Sequence, residues 1–240
     1  MIPIVLEAHR ASKGSYGARR MADEITDQGT RCGRYRAKTV MTMAGVTAKQ
    51  KRKFKATTDS NHDLPVAPNL LKRNFKTQKP NEVWVGDITY VWTTEGWLYL
   101  AVVLDLFSRK VVGWAISSRI KKDLVIEAIR MATGRREVSP GLIFHSDRGS
   151  QYCSHKYQKV LRVQGIIPSM SRKGDCWDNA VSESFFGSLK TERIFGANYK
   201  NREEAKRDIF DYIEMFYNCR RRHSFIENKS PQQWEMEKAA

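Results

Sequence analysis

The sequence lacks the features of a disulfide-stabilised or membrane protein. Its 240 residues include four scattered cysteines and no CxxC pair, which argues against a disulfide framework and favours a reducing compartment. No apolar run reaches the roughly 18–20 residues of a membrane span. The apolar stretch at the N-terminus is also too short for a secretory signal. The sequence therefore predicts a cytoplasmic protein without a membrane partner.

The histidines and cysteines do not have the spacing of a zinc site. His145, Cys153, His155 and Cys176 are neighbours in the chain but match no usual set of zinc ligands. We expect them to be separate polar or buried residues.

Acidic residues are scarce relative to basic ones. The chain has 26 Asp and Glu against 42 Lys and Arg, a formal charge of +16. Residues 1–80 contribute +11 (17 basic, 6 acidic) and residues 81–240 contribute +5 (25 basic, 20 acidic). A basic arm beside a more balanced body is the footprint expected of a nucleic-acid binder. Association with a ribosome or a membrane surface would give a similar charge, so charge alone does not decide.

The basic N-terminal part is predicted to form a helical domain over residues 1–56. Two segments with helical spacing are joined through "TRCG" and look like a small helix-turn-helix-like bundle. Such a bundle would contact DNA; the alternative is a helical hairpin that only packs. Residues 57–79 follow as a polar, proline-containing linker that we expect to be solvated. The basic run 51–55 could follow a phosphate backbone.

Residues 80–235 are predicted to form an α/β domain. Three β-rich runs separated by short turns indicate an antiparallel meander. A helix, a fourth strand, a second helix, a short fifth strand, a polar loop and a helix from about residue 180 to 193 follow, and a last helix closes the domain. This order predicts a mixed five-stranded sheet flanked by helices.

Three carboxylates stand out against this pattern. Asp87 and Asp147 end β-like apolar runs, and Glu183 lies in the predicted helix with thirty-five residues between it and Asp147. A charge at the end of a buried strand is costly to bury without a partner, and three carboxylates repel one another unless cations neutralise them. The arrangement suits two divalent metals about 3.5–4 Å apart, as in phosphoryl transfer. It favours a metal-dependent polynucleotidyl transferase.

Each carboxylate taken alone could instead be a solvated or salt-bridged acid. Asp105 is the main competitor on the strands, but its surroundings favour a hairpin turn or a pair with Arg109. Asp175 competes with Glu183 from a glycine-containing loop. Glu192, nine residues after Glu183, falls on the opposite side of the helix and should not join the site.

Helical phase brings Lys190 to the side of Glu183. Seven residues at about 100° each return to within about 20° of the start, and Gly187 on nearly the same side leaves space. One helix could thus offer a metal-binding carboxylate and a phosphate-contacting lysine. The alternative is a surface lysine paired with Glu183 or Asp178. Asp178 and Asn179 are good N-cap residues for this helix.

The motifs "WVGDITYVWT", "HSDRGSQYCS", "SRKGDCWDNAVSESFFGSLKTE" and "YNCRRRHS" together resemble the transposases of bacterial insertion sequences, specifically the second-frame (orfB) products of insertion-sequence family three. The resemblance covers about residues 10–235. It implies a ribonuclease-H-like fold with an integrase-type catalytic core over residues 80–235. It also implies dependence on two Mg²⁺ or Mn²⁺ ions, with Asp87, Asp147 and Glu183 as catalytic residues and metal ligands.

The same resemblance implies the partners. Lys190 would contact the terminal DNA of the element. We expect further DNA contacts from Arg172 and Lys173 in the polar loop and from Arg19 and Arg20 in "YGARRM", which resembles the helix-turn-helix-like segment of this family. The expected partners are double-stranded DNA (the terminal inverted repeats and the target), further copies of the chain on DNA, and the upstream-frame (orfA) product.

The implied reaction is cleavage of a 3′ strand at each element end and joining of the freed 3′-OH to a new phosphodiester. The alternatives are a ribonuclease-H-like hydrolase that cuts without joining and a non-catalytic DNA-binding product that regulates a full-length enzyme. The zinc module of retroviral integrases is absent from the sequence, as is the upstream segment that this family usually adds by frameshift. We therefore expect a shortened copy with intact catalytic chemistry.

Overall fold

The computed structural model describes residues 1–50, 64–172 and 176–239. The helices and strands, in chain order, are α1 (Ile2–Ala11), α2 (Ala18–Asp27), α3 (Arg34–Met43), β1 (Val83–Thr93), β2 (Gly96–Asp105), β3 (Val111–Ser117), α4 (Lys122–Arg135), β4 (Ile143–Ser146), α5 (Ser150–Cys153), α6 (His155–Val163), β5 (Ile167–Met170), α7 (Ala180–Leu189), α8 (Arg202–Phe210) and α9 (Pro231–Ala239). The basic run 51–55, Lys173 and Asp175 lie outside the described residues. None of the helices described is both long and apolar enough to cross a bilayer.

The five strands form one mixed sheet in the order β3-β2-β1-β4-β5. β1, β2 and β3 pair antiparallel through short turns, whereas β4 pairs parallel with β1, and β5 parallel with β4. The first turn uses Gly96 at φ +100°, a backbone conformation that glycine adopts without strain. The predicted α/β class, the mixed five-stranded sheet and its antiparallel meander are confirmed.

The two faces of the sheet pack into two separate cores. On one face, Val83 and Val85 of β1 join Phe185 and Leu189 of α7. On the other face, Trp84 joins the buried side chains of α4 and α6. Successive side chains of a strand point to opposite faces, so β1 contributes to both cores. The sheet is a central layer between helices, and its strand ends are left at the rim.

The N-terminal region contains three helices rather than the predicted pair. α2 and α3 correspond to that pair, and α1 precedes them. Val5 and Ala8 of α1 are buried in the same apolar cluster as Met21 and Ile25 of α2. Proline in the first turn of α1 is compatible with a helix start, because its missing N–H is not needed there.

The described part of the predicted linker is mostly exposed, but it also has contacts with the sheet. Leu71 is 5% exposed. The backbone N–H of Leu70 donates to Ser169 Oγ at 2.9 Å, and the Pro68 carbonyl accepts from Met170 N at 3.3 Å. The segment therefore runs along β5, the edge strand of the sheet. It satisfies polar groups that an open edge would leave unpaired.

The C-terminal region is more than the single helix predicted. α8 continues as π-helical turns over Asp211–Tyr217, and the chain then turns back and forms α9. The α9 sequence is mostly polar and gives little periodic signal. Polar contacts hold it instead: Glu235 accepts hydrogen bonds from Arg136 at 2.6 and 2.8 Å and from Ser108 at 2.7 Å.

Candidate active site

Asp87 and Asp147 come from two neighbouring parallel strands. Val85 of β1 is paired with His145 of β4, and each Asp follows its paired residue by two positions. Because parallel strands point the same way, equal displacement brings the two residues side by side. Asp147 directly follows β4, whereas β1 continues past Asp87 to Thr93, so the expectation that Asp87 ends its strand is wrong. The structure thus brings two of the predicted carboxylates together.

Gly86 lets this edge pack closely. A Cβ at Gly86 would lie 2.3 Å from Cζ of Phe144 and 3.2 Å from the Val102 carbonyl oxygen. Any side chain there would push Phe144 out of the core beside β4. The glycine directly before Asp87 therefore leaves the space that the Phe144 ring occupies.

Asp87 is surrounded by like charge. Burial, together with the Asp147 and Glu183 carboxylates, raises the pKa of Asp87 well above its usual range. The Ile88 N–H, 2.7 Å from Asp87 Oδ1, and the Lys190 ammonium act in the opposite direction. Neighbouring carboxylates hold a proton when no cation neutralises them. The electrostatics of Asp87 thus place all three predicted carboxylates, and Lys190, in one neighbourhood.

The loop after β4 holds Asp147 in place through backbone contacts. The Gly149 N–H donates to Asp147 Oδ1 at 2.9 Å, and Arg148 Nε donates to the Ser171 carbonyl at 2.6 Å. Asp147 is half-buried. Its carboxylate is fixed by the turn that the sequence "DRG" predicted.

Glu183 reaches the site from the first turn of α7. The other side of this helix buries Phe185, Phe186 and Leu189, which fixes its rotation. Glu183 itself is exposed, and partial burial raises its pKa. A rigid, packed helix therefore presents an accessible carboxylate towards the strand ends.

Lys190 has Tyr90 and Asp87 as neighbours. Its Nζ is 5.0 Å from the centre of the Tyr90 ring. Burial lowers the pKa of Lys190, and the charges of Tyr90 and Asp87 oppose that shift. Sequence analysis did not single out Tyr90, although its place in "DITY" on the strand of Asp87 was a usable signal.

The donor chemistry at this edge fits a hard divalent cation. All three predicted ligands are carboxylates, which Mg²⁺ and Mn²⁺ prefer. Within residues 1–50, 64–172 and 176–239, however, no group of three or more His, Cys, Asp or Glu side chains is already arranged to hold a metal. The charges of Asp147 and Glu183 act on the pKa of Asp87, but the side chains would have to close further around an ion.

The same finding bears on the zinc alternative. His145 is fully buried, its Nδ1 is 2.8 Å from Ser169 Oγ, and burial lowers its pKa to about 4. Cys153 is also buried, and burial raises the pKa of its thiol to about 11. Both residues are thus buried in the core beside β4 and β5.

Asp178 does not cap α7, contrary to the sequence-based expectation. The N-cap is Asn179, and its side chain makes no capping hydrogen bond. Asp178 instead accepts hydrogen bonds from Asn69 Nδ2 at 2.8 Å, Arg73 Nε at 3.2 Å, and the backbone N–H and guanidinium of Arg172 at 2.9–3.2 Å. Despite its burial, these donors lower the pKa of Asp178 to about 2. Arg172 is thus exposed, but its guanidinium is held by Asp178.

Asp105 and Glu192 were the alternatives to the predicted triad, and both make contacts that stabilise the fold. Asp105 is fully buried and accepts the N–H groups of Asn81 and Phe107, both at 2.9 Å, so it shapes the turn after β2. Burial raises its pKa to about 6. Glu192 is bound by Arg221 away from the three carboxylates.

The two arginines of "YGARRM" differ in their surroundings. Arg19 is exposed on α2. Arg20 is half-buried, lies 5.6 Å from the centre of the Tyr16 ring and places Nη1 3.5 Å from Glu192 Oε1. Arg20 therefore takes part in the contact between the N-terminal helices and the rest of the protein. A DNA contact by either arginine remains a prediction.

Family models agree with this architecture. A model described as an integrase core domain matches residues 77–176, a second with the same description matches residues 183–238, and an HTH-like domain model matches residues 2–54. The last match confirms the helix-turn-helix-like character of the N-terminal region and supports DNA as a partner.

Two curated proteins are similar over nearly the whole chain. "Insertion element IS600 uncharacterized 31 kDa protein" of Shigella sonnei is 48% identical over 224 residues, which cover 93% of this chain and 82% of that protein. "Transposase InsF for insertion sequence IS3A" of Escherichia coli (strain K12) is 47% identical over 235 residues, which cover 97% and 81%.

A solved structure supports the fold. A chain of the simian T-cell lymphotropic virus intasome, determined in complex with PP2A regulatory subunit B56 gamma, aligns with a TM-score of 0.55 at 16% identity, over 96% of this chain and 74% of that one. At this identity the likeness concerns architecture alone. It agrees with the predicted ribonuclease-H-like, integrase-type fold.

Proposed function

Because this chain belongs to the family of IS3 insertion-sequence transposases, we propose that Asp87, Asp147 and Glu183 are the residues with which it cleaves DNA 3′ ends and joins them to a new strand. The observation that carries this assignment is that Asp87 and Asp147 come from neighbouring parallel strands, two positions after the paired residues Val85 and His145, and that the helix of Glu183 packs against β1. The pKa of Asp87 is raised by both Asp147 and Glu183, which come from a different strand end and a helix. The family makes the protein a polynucleotidyl transferase; the identity of the three residues is our inference.

Two Mg²⁺ or Mn²⁺ ions fit the proposed ligand set. Asp87 would hold them from β1, Asp147 from the end of β4 and Glu183 from α7. When bound, such ions supply Lewis-acid activation of water or a 3′-OH and stabilise charge that develops on the phosphate. Without them the carboxylates would repel a DNA phosphate, so the charge of this cluster supports a role for cations.

The proposed DNA contacts surround the carboxylates. Lys190 would meet a phosphate next to Asp87, and Arg172, held by Asp178, would meet the strand on the side of the polar loop. Arg19 is exposed on α2 and would contact the duplex away from the site. Arg20 would contribute through the contact region beside Glu192. Lys173 is retained as a proposed contact from the sequence alone.

We propose the terminal inverted repeats of the element and a target duplex as substrates. Two ends have to be processed together, which favours an oligomer of this chain on DNA, with the orfA product as a further partner. The HTH-like match and the transposase relatives support DNA binding. The oligomer and the second protein follow from the reaction and the family resemblance.

An end-labelled duplex carrying the element terminus tests the assignment. The parent protein should cleave it in Mg²⁺ or Mn²⁺ but not in EDTA, and joining should yield products longer than the input. Asp87→Asn, Asp147→Asn and Glu183→Gln should each remove both products, because an amide keeps the shape but loses the charge. Asp123→Asn, an exposed acid on α4, should behave like the parent.

Substantial Mg²⁺-dependent cleavage by Asp147→Asn would rule out the triad assignment. Cleavage by the parent without longer products would favour the hydrolase over strand transfer.

A further inference from the structure

A cavity lies beside α7. It has a volume of about 450 Å³, and Val181, Ser184 and Ser188 of α7 line one wall, whereas Glu183 does not. The opposite walls come from the N-terminal region and from the segment after α8. The cavity therefore adjoins the catalytic helix without being part of the carboxylate site.

The cavity is rich in positive charge. Four cationic side chains line it, and Glu192 is the one carboxylate in the lining. The cations are Arg20, Lys49, Arg109 and Arg221. Glu192 is already committed to Arg221, which donates to both of its oxygens, and to the Tyr212 hydroxyl at 2.8 Å. One carboxylate therefore offsets four cations.

Arg109 has an unused donor in this lining. Its side chain is 7% exposed, stacks on Phe225 with Cζ 3.7 Å from the ring centre, and donates from Nη2 to the Phe75 carbonyl at 3.3 Å. Its Nη1 has no hydrogen-bond partner among the described residues. A buried guanidinium N–H without an acceptor is costly, so its presence points to an acceptor that binds from outside.

Thr191 also indicates that a polar group binds from outside. It is 6% exposed and lines the same cavity, and its Oγ1 also has no hydrogen-bond partner in the part of the chain that is described. A hydroxyl can donate to an anion next to the arginine fork. Arg109 and Thr191, two buried residues with unpaired polar atoms among the described residues, thus both belong to the lining of one cavity.

The pKa of His223 reflects the positive charge around the cavity. Burial and the nearby cations Arg221, Arg20 and Arg109 hold the pKa of His223 well below its usual range. The imidazole is therefore neutral and adds no charge of its own. The effect on His223 is that expected where cations outnumber anions.

We propose that this cavity binds a backbone phosphate of the DNA whose other phosphates lie at the carboxylate site. A phosphate offers several acceptor oxygens to the Arg109 fork, Thr191 and Lys49, and arginine is well suited to such recognition. Ser184 is exposed and follows Glu183 directly, so the two side chains leave α7 about 100° apart. A strand crossing α7 can therefore reach both sites. The proposal rests on the proposed function only in taking DNA as the substrate.

Binding of a short nonspecific duplex in EDTA, measured across a range of salt concentrations, tests the proposal. Lys49→Gln removes an exposed cation of the cavity, and Ser184→Glu places a carboxylate at its mouth. Both should weaken binding several-fold, and Lys49→Gln should reduce the slope of log K against log salt by about 1. The matched controls are Lys159→Gln on α6 and Ser118→Glu after β3, both exposed positions, which should bind like the parent.

A third arm adds inorganic phosphate and follows thermal unfolding. Stabilisation of the parent but not of Ser184→Glu, with DNA affinity lowered in both cavity variants, supports a phosphate site used by DNA. Parental DNA affinity and salt slope in Lys49→Gln and Ser184→Glu would overturn the proposal, even if free phosphate still binds. Because these measurements use no metal and no cleavage, a wrong triad would leave them unchanged and would appear only in the cleavage assay.

Discussion

Arg221 donates hydrogen bonds to both carboxylate oxygens of Glu192, from Nη2 to Oε1 and from Nε to Oε2, each at 2.8 Å. Both side chains are about 6% exposed. Arg221 also donates to Ser188 Oγ of α7 at 2.9 Å. The pair joins α7, which carries Glu183, and its π-helical extension, Lys190–Ile194, to the segment after α8. The position of Glu183 therefore depends on a buried contact between residues distant in sequence.

Removing Arg221 should strongly destabilise the protein. Arg221→Gln would leave Glu192 buried without its main partner, and breaking a buried ion pair in this way costs about 3–5 kcal/mol. Urea unfolding at pH 7 measures the loss. Lys206→Gln, which breaks an exposed pair with Glu203, is the control and should not change the midpoint. A midpoint for Arg221→Gln equal to that of the control would show that the pair contributes little.

Asp87→Asn should stabilise the metal-free protein while abolishing cleavage. The substitution removes one of three mutually repelling carboxylates, whose proximity raises the pKa of Asp87. Urea unfolding in EDTA should show the gain, and adding Mg²⁺ should stabilise the parent but not the variant. A less stable variant in EDTA would mean that the charges do not repel as inferred.

Asp178→Asn should destabilise the protein in a pH-dependent way. The pKa of Asp178 is about 2, below the value of about 3.9 expected in the unfolded chain. Its contribution is therefore present above about pH 4 and is lost as the pH falls towards 2. Because Arg172 and Arg73 are partly exposed, we expect a loss of only about 1–2 kcal/mol at pH 7.

Urea unfolding of this variant and the parent at pH 7, 4 and 3 measures the trend. The difference between the two proteins should shrink below pH 4. A constant difference down to pH 3 would indicate that Asp178 acts through shape and not through its charge.

Lys190→Ala should reduce cleavage of terminal DNA without preventing stabilisation by Mg²⁺. An ammonium can contact a phosphate but is not a metal ligand, and Lys190 lies next to Asp87 and Tyr90. Lys190→Arg should retain part of the activity, because it keeps the charge and the contact with the ring. Initial cleavage rates and Mg²⁺-dependent unfolding midpoints separate the two effects. Parental cleavage by Lys190→Ala would remove the DNA-contact role.

The sequence was informative where the signal is local. Strand alternation and short turns predicted the sheet. Asp147 follows a strand end as predicted, but β1 continues past Asp87 to Thr93, because pairing with β2 extends the strand beyond the charged residue. α1 was missed because "IPIV" reads as a brief apolar run until Val5 and Ala8 have a partner to pack against. Contacts between distant segments left no periodic signal.

Asp178 shows why the rest was not predictable. Its residue type and position suited an N-cap, but donors from Asn69 and Arg73, more than one hundred residues earlier, compete for the same oxygens. The contact of Arg20 with Glu192 spans 172 positions. Such pairs form only in the folded protein, and the sequence around either residue gives no sign of them.

The continuous helix from Ala180 to Ile194 carries two carboxylates with opposite surroundings. Glu183 is accessible near the strand ends, and Glu192 is locked inside by Arg221. Adding or deleting one residue between them would turn one carboxylate by about 100° relative to the other, and no exchange of side chains could restore both. During divergence this stretch should accumulate substitutions freely at its outer positions while keeping its length unchanged.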